Sequence, residues 1–210
     1  MATHIHEEEQ VEALKRWWKE NGTAIIAGIV LGLAGIFGWN AWQNHQRVQA
    51  EQASGLYDQL LDAVARRQYP LAEGLVQRLT GEFGATAYAD FARLLAAKAA
   101  VERQDLENAK KYLGQVLTRS GDPDFRHLAR LRLARVHLAA GRPEDGLKLL
   151  TAPDAGDPGS FRGQYEEIKG DLYAALGRLE QAAAYRKAIE LGRDHGYLRM
   201  KLNDLGLESS

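Results

Sequence analysis

Six histidines hold the chain's capacity for metal binding or proton transfer: His4, His6, His45, His127, His137 and His195. Metal ligands on one helix stand three or four residues apart, so that both imidazoles share a face, as in His-Glu-x-x-His. No such pair occurs here. His127 and His137 are ten residues apart, which on a helix separates them by about 15 Å along the axis and about 80° around it. The carboxylate pairs read as solvated groups: Glu166–Glu167 lie on a charged helix face, and Asp154 and Asp157 lie in a Pro/Gly loop. Neither pair has a base partner to set up acid–base work. With no cysteine, the chain has no disulfide, thiolate metal site or cysteine nucleophile. Phosphate-binding, dinucleotide and nucleophile-elbow motifs are also missing from the sequence. The expectation is a protein that is not an enzyme, with no cofactor and no metal. A net charge of −1, from 27 basic and 28 acidic residues, supplies no field for nucleic acid.

The elements that organise the chain begin with an uncharged run, GTAIIAGIVLGLAGIFGWNAW, at 22–42. Thr23–Trp42 as a helix spans about 30 Å, the hydrocarbon thickness of a bilayer. All 4 tryptophans flank it: Trp17 and Trp18 before, Trp39 and Trp42 at its far end. Trp18 and Trp39 are about 32 Å apart in helix rise, which suits indoles at the two membrane interfaces. A cleaved signal peptide needs a shorter apolar region, a basic start and a small-x-small cleavage site. Here the start is polar and rich in glutamate, and only Val48-x-Ala50 offers a weak site. The run therefore reads as an uncleaved anchor, dividing the chain into an N-terminal segment (1–22), a membrane helix (23–42) and a soluble domain (43–210). Lys15, Arg16 and Lys19 precede the anchor, and Arg47 alone follows closely. Basic residues stay on the cytoplasmic side, so the N-terminus is expected inside and the soluble domain outside, which in a Gram-negative cell means the periplasm. Gly28, Gly32 and Gly35 fall on one face of the anchor. They suit a close helix–helix contact, although glycine is common in membrane helices without one.

The soluble part is expected to be all-α. Apolar residues recur at helical spacing near 44–66, 70–80, 86–103, 106–118, 124–140, 143–151, 161–176, 178–191 and 195–205. Four segments align: RQYPLAEGLVQRL, QDLENAKKYLGQVL, GRPEDGLKLL and GRLEQAAAYRKAIEL. Their turn residues are Arg67, Gln104, Gly141 and Gly177; five positions on stand the small residues Ala72, Ala109, Gly146 and Ala182, at spacings of 37, 37 and 36. Ala97, Ala134 and Gly170 continue the pattern in the preceding helices. A small residue at one place in every hairpin is what close packing of two helices requires. A period of this size resembles the tetratricopeptide repeat, and about four helix pairs would stack into an α-solenoid. The last helix, with Leu198, Leu202 and Leu205, is expected to cap the final pair.

The first helix of each pair lines the concave face of such a stack. In register, Lys98, Arg135 and Asp171 share one position; Phe91, Leu128 and Gln164 share a second; Val101, Leu138 and Ala174 share a third. Phe91, Lys98, Arg135, Leu138 and Asp171 are the candidate binding residues on this mixed stripe. Core packing and solvent exposure account for the same residue types.

The order of parts, an acidic start, a glycine-rich anchor ending in GWNAW, a repeat array and a closing LRMKLNDL, resembles the YfgM family. The segments that carry the resemblance best are QVEALKRWWKENG (10–22), LARLRLARVHLAAGR (128–142) and MKLNDL (200–205). That resemblance implies an ancillary subunit of the bacterial SecYEG translocon, anchored in the inner membrane with its repeats in the periplasm. It further implies association with a membrane-anchored, prolyl-isomerase-like periplasmic chaperone and help in passing unfolded client polypeptides onward. A second role stays open: a scaffold or stress-signalling regulator acting through the cytoplasmic N-terminal segment, where Val11, Leu14 and Trp18 form an apolar stripe.

Overall fold

The computed structural model describes residues 2–178, 183–193 and 196–204, without the side chains of 2–10 and Ala13. Ala182, Leu205 and His195 lie outside the described residues. Every regular element among those described is helical: α1 (Ala2–Ala65), α2 (Tyr69–Glu82), α3 (Ala87–Glu102), α4 (Leu106–Arg119), α5 (Pro123–Ala139), α6 (Pro143–Thr151), α7 (Arg162–Ala175), α8 (Ala184–Glu190) and α9 (Gly196–Asp204). Two short 3-10 turns, Pro153–Ala155 and Gly159–Phe161, join α6 to α7.

The chain divides into two compact units, Met1–Glu51 and Gln52–Ser210. In the first, α1 is long and apolar enough to cross a membrane. Its apolar window is 6 % buried, unlike the core helix of a soluble protein. Trp17, Trp18, Trp39 and Trp42 are all exposed, and the Trp39 and Trp42 rings stand 5.1 Å apart. A Cβ on Gly28, Gly32 or Gly35 would meet nothing within 4 Å, so that face is open. The expected helix at 44–66 has no separate start. No proline interrupts the chain before Pro70 and the lone glycines are tolerated inside a helix, so α1 runs on unbroken.

In the second unit the repeat pattern acquires a physical cause. The four aligned turn residues all adopt a left-handed backbone: Arg67 (φ 57°), Gln104 (φ 62°), Gly141 (φ 70°) and Gly177 (φ 68°). After each, the next residue's N–H donates back to a helix carbonyl: Gln68 to Ala63, Asp105 to Ala100, Arg142 to His137 and Arg178 to Tyr173, at 2.8–3.0 Å. This is the Schellman closure of a helix end, which needs one left-handed residue per hairpin. Three second helices then open with a favourable first turn: α2 has Pro70 at its second position, α6 starts on Pro143, and α4 follows Asp105, whose carboxylate caps the Asn108 N–H at 3.2 Å.

Small residues sit where the paired helices approach. Ala97, Ala109 and Ala134 are buried. A Cβ on Gly146 would come within 2.7 Å of Leu172 Cδ2 and 3.1 Å of the Ala134 carbonyl. Gly170 is tighter still, since its Cβ would fall 2.3 Å from the Tyr185 ring. Consecutive cores follow along the stack: Leu56, Leu60, Val76 and Leu79; then Leu94, Leu113, Val116 and Leu133; then Leu131, Leu150, Ile168 and Leu172. The fourth joins Tyr185 and Ala188 of α8 to Leu198 and Leu202 of α9. The two described leucines of the expected cap thus cover the last pair.

Candidate functional site

A groove of about 340 Å³ opens between α3 and α5, the first helices of neighbouring pairs. Its floor is apolar: Ala97 and Val101 from α3, Leu106 and Leu113 from α4, Val136 and Ala139 from α5. Lys98 and Glu102 of α3 and Arg132 and Arg135 of α5 form the rim. The floor exists because α4 crosses behind the two helices, and Val101, 42 % exposed, remains uncovered. A hydrophobic floor under charged edges can hold apolar side chains of a partner while the rim fixes its charged ones.

Electrostatics on the rim are unequal. The Lys98 ammonium lies 3.6 Å from Glu102. Arg135 faces Glu167 at 3.8 Å, and Glu167 is buried and already held by Arg193 at 2.8 Å. Arg132 is exposed and has no carboxylate within ion-pair distance among the described residues. Partial desolvation first, and then the neighbouring Arg135 charge, lower its pKa from the usual guanidinium value.

The structure brings Lys98 and Arg135 together on this groove and places the other candidates elsewhere. Phe91, 38 % exposed, joins a cluster with Tyr57, Tyr88 and Phe125, at ring separations of 5.2–5.9 Å. Leu138 packs on the third core beside Leu131 and Leu172. Asp171 faces the end of the stack, accepting from the Tyr185 hydroxyl at 2.5 Å and the Lys201 ammonium at 2.6 Å. Burial, followed by the hydrogen bond to Asp171, pushes the Tyr185 phenol well above its ordinary range, so it stays a donor. Arg132 and Glu102 are rim residues that the 37-residue register did not select. Their signal was local: each stands three or four residues from a selected cation on the same helix face.

His127 and His137 take structural places. His127 is buried, with its Nδ1 2.8 Å from the Tyr165 hydroxyl. His137 Nδ1 is buried without a hydrogen-bond partner among the described residues. Burial, outweighing the pull of Asp145, lowers the His137 pKa. No group of three histidine or acidic side chains among the described residues is placed to hold a metal ion.

The family model of the tetratricopeptide repeat-like domain matches residues 15–207. A Haemophilus influenzae protein named ancillary SecYEG translocon subunit is 37 % identical over 210 residues, covering 98 % of this chain and 100 % of that protein. An Aggregatibacter actinomycetemcomitans protein of the same name is 32 % identical, over 98 % of this chain and 100 % of its own length. The Escherichia coli K12 protein of that name is 29 % identical, over 99 % of this chain and its full length. No solved structure matches the chain.

Proposed function

The chain belongs to the family of ancillary SecYEG translocon subunits with tetratricopeptide-like repeats, and from that premise we propose that it works as a membrane-anchored, non-catalytic accessory of the translocon. In this reading Thr23–Trp42 crosses the inner membrane and residues 1–22 stay in the cytoplasm. The repeats, from residue 43 onward, stand in the periplasm. Lys15, Arg16 and Lys19 before the span, against Arg47 after it, support that direction. The open Gly28, Gly32 and Gly35 face is where another membrane helix makes contact.

The repeats contact emerging polypeptides and pass them to a membrane-anchored, prolyl-isomerase-like chaperone. The observation that carries this is the uncovered apolar groove between α3 and α5, with Lys98 and Arg135 on its rim. An open groove of this kind suits a chain held briefly rather than a small molecule enclosed in a pocket.

The test is a photocrosslinking residue placed at Val101 on the floor, and separately at exposed Arg119 on α4, in native membranes. Polypeptides in transit should crosslink at Val101 and not at Arg119. Replacing two of the three rim cations, with Lys98→Glu and Arg135→Glu, should change the yield while the fold is kept. Equal yields from the two positions would remove the groove as the contact surface.

A further inference from the structure

We infer that the groove between α3 and α5 takes an acidic amphipathic segment that sets a carboxylate against Arg132 and, past the groove's own lining, brings an aromatic or aliphatic side chain to the Phe91–Phe125 contact. This rests on the reading of the groove as a polypeptide surface and names the chemistry of what enters it.

Charge complementarity is the first argument. Glu102 is engaged by Lys98 at 3.6 Å, and Arg135 has Glu167 at 3.8 Å. Arg132 stands beside Arg135 with no carboxylate of its own among the described residues. Two neighbouring guanidiniums repel, and an incoming carboxylate relieves that repulsion while gaining a charge-assisted hydrogen bond. A basic segment would meet three cations on the rim and only one acid, which is already engaged. Electrostatic complementarity of this kind selects the partner and speeds its arrival.

Periodicity supplies the second argument. Phe91 and Lys98 are seven residues apart on α3, and Phe125 and Arg132 are seven apart on α5. Seven residues return to nearly the same helix face about 10 Å along the axis. Beyond the groove's lining, α3 and α5 therefore each carry a phenylalanine one such interval before a rim cation. The two phenylalanine rings touch edge to face across the helices at 5.2 Å. In an extended chain about 10 Å is roughly three residues. A segment that reaches from Arg132 to the two phenylalanines thus carries its acid about three positions from its apolar anchor.

The experiment uses the full chain in phosphatidylcholine nanodiscs and three fluorescein-labelled peptides, read by anisotropy at low salt. Their centres are Leu-Phe-Ser-Glu-Glu, Leu-Phe-Ser-Gln-Gln and Leu-Phe-Ser-Lys-Lys, flanked by Gly-Ser. The acidic peptide should bind about tenfold more tightly than the glutamine one, an advantage that shrinks as salt rises. Arg132→Gln should erase most of that preference, and Arg132→Glu should turn it toward the lysine peptide. Val101→Asp should weaken all three. If the acidic and glutamine peptides bind alike and Val101→Asp weakens both, the groove remains a polypeptide surface and the acidic preference is wrong. If no peptide binds, the groove reading falls with it. Capture of phosphatidylglycerol vesicles through Arg132, with no peptide bound, would overturn the proposal in favour of a lipid surface.

Discussion

Gly170→Ala is the sharpest perturbation of the stack, because a single methyl meets a buried, hydrogen-bonded aromatic ring. The new Cβ would stand 2.3 Å from Cδ1 and Cε1 of Tyr185 and 3.0 Å from Cγ. Carbon atoms prefer about 3.5–4.0 Å, so the ring must move by about 1 Å or more. Tyr185 is 2 % exposed, and its hydroxyl is tied to Asp171 at 2.5 Å. Overpacking of this kind costs about 1–3 kcal/mol. Straining or breaking a hydrogen bond to a charged group adds up to about 1.5–3 kcal/mol. Alanine returns about 1 kcal/mol over glycine in helix propensity. The net loss should be about 2–3 kcal/mol, or roughly 5–10 °C in the melting midpoint of a domain this size. Gly74→Ala in α2 is the matched control. It is exposed, and its Cβ would meet nothing within 4 Å, so it should gain up to about 1 kcal/mol. Thermal melts of fragment 44–210 followed by circular dichroism read both. A Gly170→Ala midpoint equal to or above wild type would refute the close contact between α7 and α8.

Other expectations follow from the same geometry. Gln104→Gly removes a side chain from a left-handed turn at φ 62° and should stabilise by about 0.5–1 kcal/mol; an unchanged or lower urea midpoint would contradict the strain. His137, whose pKa is lowered by burial, binds its proton less readily folded than unfolded. Its contribution is therefore complete above the unfolded value of about 6.5 and declines as pH falls below it toward the folded value. His137→Gln should flatten the fall in melting temperature between about pH 7 and 5, and parallel profiles would contradict this. Protease added to spheroplasts should digest the repeats and spare the N-terminal segment; protection of the repeats until the inner membrane is opened would reverse the orientation.

The repeat architecture was legible because one backbone requirement recurs. Each hairpin needs a left-handed residue, and five positions later a small one, so Gly141, Gly177, Ala109 and Gly146 mark the period directly. Arg67 and Gln104 occupy the same conformation without glycine, which only the register could suggest. The continuity of α1 from its apolar stretch to Ala65 was not legible, because no residue type marks the absence of a break. At the groove, Lys98 and Arg135 followed from the register. Asp171 shares their position but lies at the end of the stack, where Lys201, thirty residues away in sequence, reaches its carboxylate. Leu138 and Phe91 turned to a core and to an aromatic cluster because helix crossing, rather than sequence spacing, sets which flank of a stripe is covered.

Association with the translocon is tested most directly by recovery of its subunits. Full-length chain carrying an affinity tag, extracted from native membranes in mild detergent, should bring SecYEG with it. Gly28→Leu with Gly32→Leu should lower that yield if the open glycine face makes the membrane contact. SecYEG should be recovered at a yield well above that of an unrelated single-span membrane protein carrying the same tag. Recovery no greater than that control, with the native sequence intact, would contradict it.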